Sequence, residues 1–238
     1  MSVRTHRQPA ETPDWGVAPY VPVKLVAVGA GIGVALCAAG GVLGLLIAGA
    51  GAGVAAACVI AILIAAGLAA ERRRLIATTG ARPVAPGEAP RLTNLVAGRA
   101  HSENAAVPEV MLIERPAPNA FIWGGRRPII AMSRDAIATF TRTEIEAVVA
   151  HCFVRLGSGG GRTLPIAILL GRLAGWAGPL VGVSHDVATA ASTRYPPALR
   201  SALAKCTPAR GTFAPSFFVA EGWSHTPATD RVRALENL

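Results

Sequence analysis

The sequence predicts an α+β, mainly helical protein: an N-terminal two-helix transmembrane hairpin followed by a domain with a small β hairpin. Three observations predict it. Residues 25–70 carry no charge, and Lys24 and Glu71 close the two ends of that run. Two short apolar runs, 109–114 and 128–133, are bounded by prolines and joined through Gly124-Gly125. Further on, Ile145, Val148, Val149, Cys152 and Leu156 recur at helical spacing behind a capping signature.

The uncharged run comes first. One crossing needs about 20 apolar residues, so this run is long enough for two. The helices are expected near 25–47 and 53–70, with the break in Ala48-Gly49-Ala50-Gly51-Ala52-Gly53. A cleaved signal peptide fits poorly, because the run follows 24 polar leader residues and far exceeds a signal core. A buried hairpin in a soluble core is the bland alternative, and the length argues against it. Glycines spaced by four (Gly29/Gly33, Gly40/Gly44, Gly49/Gly53) read as packing positions where helix backbones approach closely.

Arg4, Arg7 and Lys24 precede the hairpin, Arg72, Arg73 and Arg74 follow it, and the turn has no charge. Basic residues stay inside. The expectation is a multi-pass protein of the cell membrane with both termini and the larger domain cytoplasmic. The chain then divides into a tail (1–24), a transmembrane hairpin (25–70) and a cytoplasmic domain (71–238).

Net charge is +9 and the pI about 10.6. Nucleic-acid binding is not expected, since the basic residues are dispersed or juxtamembrane rather than gathered in a stripe. The membrane bilayer is the expected partner, its anionic headgroups facing the basic residues. Of four cysteines, Cys37 and Cys58 fall in the hairpin and Cys152 and Cys206 in a reducing compartment, and no C-x-x-C pair exists. No disulfide framework is implied.

In the larger domain, residues 75–90 read as a Pro/Gly-rich linker. A helix from Pro90 to about Ser102 follows, with Leu92, Leu95 and Val96 on one face. Residues 109–114 suit a strand, and residues 128–133 its hairpin partner. Thr141, with Glu144 three residues on, marks a helix start, and glycines at 157 and 159–161 end that helix. Residues 164–183 are apolar apart from Arg172, and a mid-helix arginine is costly in lipid. A helix lying on or partly in the membrane is expected there. The tail should hold a helix over 197–205, a loop with Phe213, Phe217 and Phe218, and a last helix from Asp230.

At Pro116-Ala-Pro-Asn119-Ala-Phe121, followed by Gly124 and Ile129-Ile-Ala-Met-Ser133, the chain resembles the HtpX-like membrane zinc metallopeptidases, the group that includes the CaaX prenyl proteases and Oma-type proteases. Gly80-Ala-Arg-Pro83 and Gly87-Glu-Ala-Pro90-Arg-Leu-Thr-Asn-Leu95 look like the start of that family's protease domain. Thr143-Glu144-Ile-Glu146-Ala-Val-Val-Ala-His151 is similar to the run into its H-E-x-x-H helix. Asp186, Thr193, Pro196 and Leu199 match its second block, and Ser224-His225-Thr-Pro227-Ala-Thr-Asp230-Arg231 its closing segment. The resemblance implies a gluzincin-like domain with zinc held by two histidines one turn apart and a glutamate from a later helix. A glutamate after the first histidine would be the general base.

The chain departs from that pattern where the chemistry needs it. The helix reads His151-Cys152-Phe153-Val154-Arg155. His151 keeps the first ligand position, Cys152 stands at the base position, and Arg155 replaces the second histidine. Four residues before Asp186, where the resemblance implies the third ligand, is Gly182. A guanidinium has no lone pair to give a metal. No cofactor is expected, and the reading is a degenerate peptidase homologue, not an enzyme by the family mechanism. Arg155 is expected to pair with a carboxylate, Asp186 being the candidate, as a substitute for the ion.

The alternative is an active metalloendopeptidase or thiol enzyme with a site rebuilt around His151, Cys152 and His185. Neighbours on a helix diverge by about 100°, and a Cys on an apolar face usually packs. Asn119, Asp186 and His225 are groove candidates; Asn119 serves equally as a turn former and His225 as a loop histidine. His6 and His101 read as solvent-facing, and Trp123, Trp176 and Trp223 as packing or interfacial. The expected function is a pseudoprotease acting as a binding, adaptor or regulatory protein in membrane protein quality control. Its partners would be membrane protein clients or an intact protease homologue.

Overall fold

Backbone groups in lipid have no water to bond, so an apolar run satisfies them internally as helix. The computed structural model describes residues 23–114, 116–174, 181–222, 224–236 and 238. The tail before residue 23 (with His6, Arg4 and Arg7), Trp176, Trp223 and the 175–180 part of the apolar 164–183 run lie outside the described residues. The uncharged run folds into α1 (Val23–Ala48) and α2 (Ala50–Thr79), both long and apolar enough to cross a membrane. Their large side chains face outward, with Leu46 77% and Ile47 75% exposed. A soluble core helix would bury that face, so the exposure supports membrane association.

The break is narrower than expected. Only Gly49 leaves the helix, at φ +85°, and α2 begins at the next residue. The other glycines stay helical and let the two backbones touch. A Cβ on Gly44 would lie 2.7 Å from the Ala52 carbonyl oxygen, and one on Gly53 would lie 2.7 Å from that of Gly41. The far end also differs from expectation. Arginine is a good helix former, so α2 runs through Arg72–Arg74 and stops only at Gly80, at φ +64°. Residues 75–79, expected in a linker, are therefore helix, with Leu75 fully buried.

The small sheet corrects the hairpin expectation. It has four strands: β1 (Ala81–Pro83), β2 (Glu109–Ile113), β3 (Ala120–Trp123) and β4 (Ile129–Ser133), in the order β1-β2-β4-β3. Residues 109–113 pair with 129–133 in parallel, so they are not a hairpin. The antiparallel partner of β4 is β3, joined to it through Gly124-Gly125. Residues 120–123, expected only as part of the connection between the two strands, are themselves the strand that forms the hairpin. Strands β3 and β4 are buried throughout, as their unbroken apolar runs require.

Helix α3 (Pro90–Ser102) has the expected bounds, with Pro90 in the first turn. A short α4 (Arg134–Thr139), capped by Ser133, leads to α5 (Arg142–Gly157). The capping box at the start of α5 is complete: Glu144 N–H donates to Thr141 Oγ1, and Thr141 N–H to the Glu144 carboxylate. Glu144 also accepts from Ser201 and Lys205, tying α5 to α8 (Pro196–Lys205). Helix α6 (Gly160–Ala174) packs on both α1 and α2, while α7 (Val183–Thr193) and α9 (Ala228–Glu236) surround α5 and α8. The core thus gathers around α5, which packs on α3, β3, α7 and α8.

Candidate functional site

His151 lies on the second half of α5, fully buried between α7 and the segment following α8. Its Nδ1 is 3.3 Å from Thr189 Oγ1 and 3.4 Å from Asp186 Oδ1, both on α7. The Thr189 hydroxyl donates to the His185 carbonyl at 2.6 Å, so toward His151 it can only accept. A carboxylate and an accepting hydroxyl together assign the proton to Nδ1. Nε2, the remaining ring nitrogen, is buried without a hydrogen-bond partner. The ring meets Phe218 edge-on at 4.9 Å and lies 6.2 Å from the His185 ring, whose Nδ1 is also unpartnered.

One turn on, Arg155 is buried and does not pair with Asp186, contrary to expectation. Its guanidinium donates to three main-chain carbonyls of a 3-10 turn (Ala214–Ser216) and the residue after it. These are Pro215 at 2.7 Å, Phe217 at 2.8 Å and Ser216 at 3.3 Å. The planar fork suits several acceptors at once, and a turn with adjacent free carbonyls supplies them. Asp186 is taken by Arg231 of α9 in a buried bidentate pair, both contacts 2.7 Å, and Arg231 also donates to the Phe218 carbonyl. Sequence reasoning quoted Arg231 within the closing segment without assigning it this role. Pairing across 45 residues leaves no local spacing signal.

The charges explain the titration of the neighbours. Burial, then the Arg231 and Arg155 cations, holds His151 well below the ordinary imidazole range. Burial first and the same two cations next bring His185 down to about 4. His225 is lowered likewise, by burial and then by Arg155. Burial pushes the Cys152 thiol up to about 12, so it is protonated at neutral pH and no thiolate nucleophile. Burial lowers Arg155 only to about 10, leaving it charged. Asp186 offsets Arg231, and Arg155 leaves the site with a net positive charge.

Gly182, where the resemblance implies a third ligand, has no side chain and little room for one. A Cβ built on Gly182 would lie 2.9 Å from the Thr226 hydroxyl, because residues 224–226 lie alongside Val181. His225 is buried on that same segment, its ring bonded to Ser224 Oγ and the Phe217 carbonyl. Asn119, a groove candidate, is also buried: its amide donates to the Thr207 and Val219 carbonyls, and its oxygen accepts from Ala120 and Val219. Trp123 is buried at the end of β3, and His101 is exposed as expected.

The free edge of β3 is occupied from within the chain. Phe217 bridges Phe121, Phe218 N–H donates to the Ala120 carbonyl at 2.8 Å, and the two phenylalanine rings meet edge-on at 5.7 Å. Arg155 thus pins against the sheet the segment that covers His151. Zinc needs three protein donors around an open position. Among the described residues no group of three or more His, Cys, Asp or Glu side chains could hold a metal. The residues present do not fit a zinc ion.

No protein-family model matches the chain. Over 77 residues, 32% of this chain, it is 39% identical to a Protease HtpX homolog of Neisseria meningitidis. It is 34% identical over 80 residues to a Protease HtpX homolog of Thermodesulfovibrio yellowstonii, matching 32% of this chain. Over 96 residues, 37% of this chain, it is 34% identical to Protease HtpX of Alkalilimnicola ehrlichii. These matches span 28% to 31% of the relatives' own lengths. Over about a third of its length, this chain is homologous to HtpX proteases.

Proposed function

We propose that this chain is a membrane-bound, catalytically inactive relative of the HtpX peptidases that works by binding, as an adaptor or regulator in membrane protein quality control. Residues 25–70 anchor it, and residues 71–238 form a degenerate peptidase domain on the cytoplasmic side. The observation that carries the reading is Arg155, a buried cation at the second ligand position, held by three carbonyls and charged at neutral pH. A dication placed beside it would meet strong repulsion and fewer donors than a zinc site needs. With β3 paired to Phe217 and Phe218, a client would meet another surface than the edge strand. Membrane protein clients or an intact protease homologue are the proposed partners.

One observation favours the rival, an active rebuilt site: the unpartnered Nε2 of His151 and Nδ1 of His185. Two nitrogens fall short of the three donors a catalytic zinc uses, and Cys152 adds only a neutral thiol. A peptide-cleavage assay on the full chain in detergent, with His151→Ala as the comparison, tests the proposal. Equal, background-level turnover in both is expected. Turnover that disappears in His151→Ala overturns it.

A further inference from the structure

At the foot of the hairpin, where α2 passes from apolar to charged residues, a cavity of about 590 Å³ opens between α2, α6 and the end of β3 with its following turn. Its lining changes character along its depth. Leu68 and Ala69 belong to the apolar stretch of α2, Arg72 follows one turn later, and Arg126 and Arg127 stand on the turn between β3 and β4. Trp123 and Pro165 close the sides. The volume lies within the range of about 300–1,000 Å³ typical of small-molecule sites.

Two of the three charges there are not spent on the protein itself. Arg72 is paired with Glu109 at 2.9 Å, yet its Nε is buried without a hydrogen-bond partner. Arg126 and Arg127 are exposed, and among the described residues neither has an acidic partner. Arg82 and Arg134, at the other end of the sheet, are by contrast tied into a network with Glu88 and Glu114. Two uncompensated guanidiniums and an orphaned donor therefore surround a space continuous with apolar helix.

We infer that this cavity binds the phosphate of an anionic lipid headgroup, with Arg126 and Arg127 on the phosphate and the acyl chains lying along Leu68 and the apolar stretch of α2. Guanidinium forks match phosphate oxygens, and the depth order, apolar then basic, matches a lipid standing beside a transmembrane helix. A buried tryptophan at the same level suits the boundary between hydrocarbon and headgroup. The inference rests on the membrane association of the hairpin and is independent of whether the old active site is inactive.

The test is lipid retention by the full chain in detergent micelles, read by native mass spectrometry with phosphatidylglycerol and phosphatidylcholine offered equally. Wild type should hold one phosphatidylglycerol in preference to phosphatidylcholine. The Arg126→Gln/Arg127→Gln variant should weaken that retention roughly thirtyfold, from the usual value of a basic residue at an anionic surface. Both arginines are exposed and unpaired, so this variant keeps its fold. The charge-matched Arg91→Gln/Arg142→Gln variant, altered at exposed positions elsewhere, should retain lipid as wild type does. Indifference to headgroup charge, or equal loss in the control variant, overturns the inference. So does inorganic phosphate that displaces the lipid at comparable concentration, which would make the site one for free phosphate. An acidic polypeptide co-purifying in place of lipid would also overturn it.

Discussion

Removing one partner of a buried ion pair leaves the other charge stranded, which costs about 3–5 kcal/mol. Arg231→Met and Asp186→Asn should each destabilise the domain by about that much in denaturant unfolding. The double variant should lose clearly less than the sum, because the stranded charge is gone; additive losses would contradict the pairing. The buried histidines set a pH dependence. His151, His185 and His225 all titrate below their ordinary value of 6.5, His185 at about 4. The unfolded chain therefore takes up protons first, and the stability these residues confer is intact above about 6.5 and lost as pH falls toward 4. Thermal unfolding across that window should show the decline, and His185→Gln should make it shallower, the other two histidines keeping the rest. A flat profile for the wild type would contradict the neutral, buried state.

The segment 214–218 is held by three side chains, with Arg155 making most of the contacts beside His225 on the Phe217 carbonyl and Arg231 on that of Phe218. Arg155 holds three of its carbonyls, and Phe218 N–H closes onto β3. Arg155→Met should leave the Pro215 and Ser216 carbonyls unsatisfied, destabilise by on the order of 3 kcal/mol, and speed hydrogen exchange at the Phe218 amide. Unchanged exchange there would separate Arg155 from the segment. Elements with a local signature were legible in the sequence: α3 through Pro90, α5 through its capping box, and the hairpin through its missing charges. Strand β3 was not, because four apolar residues between a proline-rich turn and two glycines carry too little periodicity to separate strand from loop. The partner of Arg155 was misjudged for a related reason. A carboxylate is the obvious acceptor for a guanidinium, whereas three carbonyls of a distant turn leave no mark on residue type.

Across the whole molecule, an apolar hairpin is joined through α6 and α2 to a domain whose core is intact and whose reactive centre is closed. The core and the closed centre draw largely on different residues, Cys152 belonging to both. Leu92, Val96, Ile145, Val148 and Leu199 fill the core, while His151, Cys152, Arg155 and Gly182 decide whether a metal can enter. Thr226 lies beside Gly182, and main-chain carbonyls surround the Arg155 guanidinium.

Zinc content of the full chain, purified in detergent without chelator and measured by atomic emission, tests this account most directly. It predicts metal far below one equivalent per chain, with no change in His151→Ala. Close to one equivalent, tightly held and lost in that variant, would contradict it.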